Sequence, residues 1–191
     1  MLAGLVRLLL TRQEEPTRTM TAHNLARLRL VLTIALIALK SFSYAPSSEA
    51  QPVLVNQKAL SDEAAFAVVH GALDKCHADG YRVSVTLLDS SGLVRIQVRG
   101  DGTGPHTFEH SHKKAYTALT FKRPSGETAK AWAAAATPPP VIEGTVAAQG
   151  GLPIKAGTEI IGAIGVSGAP GGEKDEVCAA AGIAKIVELL K

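Results

Sequence analysis

The sequence predicts one α/β (α+β) domain in which two antiparallel β-hairpins are flanked by helices. Two pairs of short apolar segments lead there, each split by a glycine-containing turn: residues 81–88 and 93–99 around Asp89-Ser90-Ser91-Gly92, and 152–154 and 160–166 around Lys155-Ala156-Gly157-Thr158. Segments of helical periodicity lie before, between and after them. The composition agrees: 46% hydrophobic residues, 4% aromatic and 18 glycines require a core of Ala, Val, Ile and Leu with close backbone approaches. With 191 residues the chain can bury one proper core, and is too short for two ordinary domains once a leader is subtracted.

Residues 1–50 read as a signal peptide with an over-extended start. After Met20 come Arg27 and Arg29, the apolar run 30–39, and a polar stretch ending Ser48-Glu49-Ala50, whose small side chains suit cleavage after Ala50. Met20 is then the expected initiator, and residues 51–191 form the domain. The ten-residue run is about half of the roughly 20 residues needed to cross a bilayer, and Lys40 closes it, so an uncleaved anchor is the weaker alternative. Either way the domain is expected to be exported, to the periplasm or the medium. Residues 1–50 carry 6 Lys/Arg and 3 Asp/Glu, leaving 14 of each in residues 51–191. That balance argues against nucleic acid, which calls for a basic stripe.

Ser61 is an expected N-cap, with Asp62 and Glu63 in the first turn of a helix whose stripe is Ala65, Val68, Val69, Ala72, Leu73 and Cys76. His70, Asp74 and His77 lie off that stripe and read as solvated. In the first hairpin Val83, Val85 and Leu87 alternate on one strand, and Val94, Ile96 and Val98 on the other, with Arg95, Gln97 and Arg99 on the second strand's opposite face. A second helix is expected over 107–121, its inner face made by Phe108, Ala115 and Leu119. A third, capped by Ser125, should run through Trp132 to Ala136 until the Thr137-Pro138-Pro139-Pro140 run stops it. A last helix over 173–190 presents Val177, Ala181, Ala184 and Val187 or Glu188 on successive turns, with Cys178 beside them. Cys76 and Cys178 are the chain's two cysteines. If both terminal helices cover one sheet face they can bridge; otherwise they are two small buried thiols.

Lys114-Ala115-Tyr116-Thr117-Ala118 before Phe121, then Gly150-Gly151-Leu152-Pro153-Ile154, then Gly162-Ala163-Ile164-Gly165-Val166-Ser167-Gly168 resemble, in this order, the GlcG/HbpS-like family, which includes the PduO C-terminal-like domain. The resemblance runs from about Leu60 to Ala184 and takes in the Asp89 to Gly92 turn. It implies a profilin-like antiparallel sheet flanked by helices, assembly into homo-oligomers, and haem binding as in some extracellular members. A family name settles fold more firmly than function.

Haem needs an axial ligand and a slot for the macrocycle. His106 and His110 stand four apart on one helix face and are the candidate iron ligands, beside the loop 100–105. His112 is expected with Phe108 and Ala115, facing the core or an interface. Phe108 and Tyr116 are candidate ring contacts; Lys114 with Thr117, and more weakly Arg95 and Arg99, are candidates for propionates. The alternative is a surface histidine cluster at a helix start. Glu109-His110-Ser111-His112 puts its histidines two apart, which disfavours a zinc hydrolase, and no Gly-x-Ser-x-Gly elbow occurs. The loop 168–172 before the last helix could hold an anion on free amides, or serve geometry alone. The expected function is therefore that of an exported protein binding haem or a related tetrapyrrole, a binder rather than an enzyme. The competing readings are an enzyme acting on an unnamed small molecule and an oligomeric assembly protein without catalysis.

Overall fold

In the computed structural model the described residues are 53–190, apart from 138 and 141. Met20, the arginines at 27 and 29, the apolar run and the cleavage site at Ala50 lie outside them.

Ser61 caps α1 (Asp62–Ala78), its Oγ accepting from the Ala64 amide at 3.3 Å, and the expected stripe from Ala65 to Cys76 is buried. The chain then makes β1 (Ser84–Asp89) and β2 (Val94–Arg99). The turn between them has the expected chemistry: the Asp89 carboxylate accepts from the amides of Ser91 (2.8 Å) and Leu93 (2.9 Å), and Gly92 takes φ +81°. After α2 (His106–Phe121) and α3 (Ser125–Ala133), the second hairpin is β3 (Gly151–Ala156) and β4 (Glu159–Ser167), followed by α4 (Gly172–Ala184) and a short 3-10 turn at Val187–Leu189. The strands form one antiparallel sheet in the order β2-β1-β4-β3.

The two faces of this sheet differ in chemistry. Val83, Val85, Leu87, Ile154, Ile164 and Val166 belong to one apolar cluster with the stripe of α1 and with Cys178, Ala179 and Ile186. Both terminal helices therefore cover that face, and Cys76 and Cys178, with Cα atoms 5.5 Å apart, are bridged. The other face carries Ser84, Thr86, Gly151 and Gly165. There Ser84 Oγ hydrogen-bonds Thr107 Oγ1 (2.8 Å) and Thr86 Oγ1 hydrogen-bonds Ser111 Oγ (2.7 Å), while Gln97 donates to Thr86 Oγ1 and to the Phe108 carbonyl. A methyl group at Gly151 would overlap the Lys114 carbonyl, and one at Gly165 the Ser111 carbonyl, so α2 lies almost backbone to backbone on these strands.

This surface explains where the sequence reading fails. The inner face of α2 is Thr107, Ser111, Lys114, Ala115, Thr117 and Ala118 rather than Phe108, Ala115 and Leu119, and Phe108 is 40% exposed. A hydroxyl-bearing sheet selects matching hydroxyls on the helix, which apolar periodicity cannot register. Likewise α4 buries Asp175, Cys178, Ala179 and Gly182 and ends at Ala184; Val177 and Val187 are exposed. Ser125 does not cap α3, which ends at Ala133 rather than Ala136; its Oγ accepts from the Gly151 amide at 2.8 Å and so ties α3 to β3. On β2 the register slips by one opposite Leu87 and Leu88, leaving Arg95 without a cross-strand partner. Arg95 thereby leaves the face of Gln97 and pairs with Asp62 (2.8 Å) and the Leu60 carbonyl, at the start of α1.

Where β4 finishes and β3 begins, the Lys114 ammonium donates to Asp175 Oδ2 (2.7 Å) and to the Val166 carbonyl (3.1 Å), and the Asp175 carboxylate also accepts from the Ala169 amide (3.0 Å). Lys114 and Asp175 are 3% and 2% exposed, so α2 and α4 are joined by a desolvated ion pair around the end of the sheet.

Two stability predictions follow from these joints. Replacing both cysteines by alanine should lower stability by about 3–5 kcal/mol, because the bridge closes a loop of 102 residues in the unfolded chain; urea unfolding that leaves the midpoint in place would contradict a bridged native state. Lys114→Met should lose about 3–5 kcal/mol by stranding a buried carboxylate, and the double variant Lys114→Met with Asp175→Leu should recover most of it. Equal losses in the single and double variants would show that the pair is not desolvated.

Candidate functional site

α2 enters from the loop 100–105 with Pro105 as its N-cap, so its first turn is set by the fixed φ of proline and by the Thr107 amide and hydroxyl, which both donate to the Gly104 carbonyl. That entry places His106 and His110 one turn apart on the side of α2 turned towards α4. Both line a cavity of about 510 Å³ whose floor is Lys114, Asp175 and Ser167, and whose remaining wall includes Gln149 and the backbone of Gly168 and Gly172. The volume is in the range of small-molecule sites, ~300–1,000 Å³. Gly104, Ala148, Gly168, Ala169 and Gly172 keep its sides low, leaving backbone within reach of a flat ligand.

His110 is half-buried. Desolvation, and then the positive charges of Lys114, His106 and Lys113, hold its pKa below the ordinary histidine value against a weaker opposing pull from Glu109. It therefore offers a neutral imidazole near pH 7, the form that ligates metal. Glu109 turns the other way, onto Lys113 at 2.7 Å, and that contact holds its carboxyl below the usual range. On the floor, burial raises the Asp175 carboxyl above the ordinary aspartate value although Lys114 and the Ala169 amide pull it down.

The other residues singled out from sequence are distributed differently. Lys114 reaches the cavity, but two of its three donors are held by Asp175 and Val166. Thr117 is buried away from it: its Oγ1 donates to the Lys113 carbonyl and accepts from the Val146 amide (2.8 Å each), which anchors the segment leading to Gln149. His112 stacks on Tyr116, with ring centroids 6.1 Å apart. Tyr116 lies in a separate cavity of about 560 Å³ at the C-terminal end of α2, with Gly92, Lys122 and Glu159 and no histidine. Phe108 stands exposed near β2, and Arg99 is exposed at that strand's end. His106, His110 and Lys114 are thus brought together, and Phe108, His112, Tyr116 and Thr117 are not. Among the described residues no group of three or more His, Cys, Asp or Glu is placed to hold a bare metal ion.

Sequence reasoning missed Asp175, Ser167 and Gln149. Asp175 reads as an acid in a helix's first turn, where dipole complementarity is explanation enough. Ser167 sits at the end of an apolar strand inside a glycine-rich motif. The available signal was Lys114 itself, since a lysine on the inner side of a helix needs a buried acid as partner.

The family model for haem-degrading, HbpS-like proteins matches residues 60–184. Among solved structures, a double mutant of Streptomyces reticuli HbpS is 36% identical, with a TM-score of 0.65 over 73% of this chain and 95% of that one. A Klebsiella pneumoniae protein, ORFY, gives 0.64 at 21% identity over 72% and 97% of the two chains. A PduOC:heme complex gives 0.59 at 23% identity over 68% and 96%. At those two lower identities the likeness is one of fold. No curated protein sequence matches the chain. The profilin-like arrangement of sheet and helices is shared with these relatives, and the chain belongs to the HbpS-like family.

Proposed function

We propose that this is an exported protein that binds haem, or a related tetrapyrrole, in the cavity between α2 and the start of α4, with His110 or His106 as axial ligand. The observation that carries the proposal is that the two histidines of one helix face open onto a single ligand-sized cavity, where burial also pulls the His110 pKa down. The donor set fits the group: a haem iron takes its equatorial nitrogens from the macrocycle, so one imidazole suffices where a bare metal would need three or four side chains. The low glycine and alanine sides suit a planar ring. Bound haem would supply redox-active iron, and the chain's own residues would orient the ring and hold its edge.

The family description and the relative solved with heme support this reading. Export is supported by the Arg27-to-Ala50 pattern and by the Cys76–Cys178 bridge, since disulfides persist in oxidising compartments. Self-association belongs to the same reading: β2 is an edge strand, and Leu93, Val94 and Phe108 are exposed apolar residues on or near it.

Haemin titration of the purified protein, followed at the Soret band, tests the site. Saturable binding at micromolar or lower concentration is expected. His110→Ala or His106→Ala should weaken it by roughly tenfold or more, about 1.4 kcal/mol or above, and His112→Ala by less than about twofold. Absence of saturable binding, or dependence on His112 alone, would contradict the assignment.

A further inference from the structure

We propose that the floor of this cavity is a carboxylate-binding subsite, built by the Ser167 hydroxyl, the third N–H of Lys114 and the first free amide of α4 at Gly172. Ser167 is 4% exposed, lines the cavity, and its hydroxyl makes no hydrogen bond among the described residues. Its aim follows from the sheet: Ser167 is the cross-strand partner of Ser84, whose own hydroxyl points to Thr107 on α2, so both side chains leave the sheet on the α2 side. The fully desolvated unpaired side-chain atoms among the described residues are Thr103 Oγ1 and Glu176 Oε2, so the Ser167 hydroxyl is not sealed from the cavity and its hydrogen bond is open to an incoming ligand.

The groups around Ser167 present positive potential. Lys114 keeps one of its three donors after Asp175 and the Val166 carbonyl have taken two. α4 starts at Gly172 behind Gly171, which supplies no capping side chain; the Lys174 amide donates to the Gly171 carbonyl, and the Gly172 amide is left for a ligand at the positive end of the helix dipole. Gly172 is also closed to larger residues, because a methyl group there would press on the Gln149 backbone. Two acids lie near. Asp175 is committed to Lys114 and the Ala169 amide. Glu173 is exposed, folds back over Gly171, and so stands beside the helix start as an internal competitor for an incoming anion.

The recognised chemistry is a carboxylate. Its source is either a propionate of haem, which rests on the proposed function above, or a free small carboxylate, which does not. The test uses the full chain, sodium propionate followed by amide chemical shifts against sodium chloride at equal ionic strength, and haemin compared with haemin dimethyl ester by absorbance. Haemin should bind about tenfold tighter than its ester, the effect of a hydrogen bond to a charged group, and Ser167→Ala should remove that difference without lowering the melting temperature. Propionate should shift the Gly172 amide saturably where chloride does not, more weakly in Ser167→Ala and more tightly in Glu173→Gln. Propionate binding without any haemin binding would assign the subsite to a free carboxylate and end the haem reading. A tenfold preference for haemin that depends on Ser167, without measurable free propionate, would assign it to haem. Equal binding of haemin and ester with no propionate response would overturn the subsite and leave the haem reading standing, and a propionate response indifferent to Ser167→Ala would overturn it as well.

Discussion

The buried ion pair between Lys114 and Asp175 holds α2 and the start of α4 in one register, and the cavity exists because of that register. Lys114 extends from the middle of α2 to the Val166 carbonyl at the end of β4 and to a carboxylate one turn into α4. Such a pair contributes little net stability over a well-packed apolar alternative, because desolvating both charges offsets their attraction. Its effect is positional: with α2 pressed onto Gly151 and Gly165, a helix shifted by one residue would strand a charge against backbone. His106 and His110 follow from the same placement, eight and four positions before Lys114 respectively and on the same side of the helix.

The two sheet faces divide the work. The apolar face, clamped by α1, α4 and the Cys76–Cys178 bridge, supplies the hydrophobic burial that holds the fold. The face beneath α2 is hydroxylated and glycine-rich, and hydrogen bonds between Ser84 and Thr107, and Thr86 and Ser111, stand where apolar contacts would otherwise be. Hydrogen bonds of this kind are directional, so they fix the rotation of α2 more sharply than a greasy interface would. A rotation fixed in that way is what a two-histidine mouth requires.

How legible this was from sequence depended on what each segment packs against. α1 was readable in its start and its buried stripe because a wide apolar stripe, a serine cap and first-turn acids all agreed. The first hairpin was readable because Asp89 and Gly92 carry their turn chemistry locally. The face of α2 was not, since Phe108 and Leu119 advertise an apolar side while the helix is held by Thr107, Ser111 and Lys114. The end of α4 and the role of Ser125 failed for a related reason, a tertiary partner overriding local propensity. In the site, the i, i+4 spacing of His106 and His110 was visible, but their common cavity depends on Asp175 and Ser167, which are 61 and 53 residues from Lys114 along the chain. Phe108, His112 and Tyr116 were drawn in by proximity in sequence to a helix whose other faces they occupy.

The most direct test of the account is a crystal structure of the full chain grown with haemin. The account predicts iron bound to a ring nitrogen of His110 or His106, the macrocycle lying across the low wall formed by Gly104, Ala169 and Gly172, and a propionate directed at Ser167. Haem seated beside Tyr116 at the other end of α2, or held by residues outside the Lys114–Asp175 cavity, would contradict it.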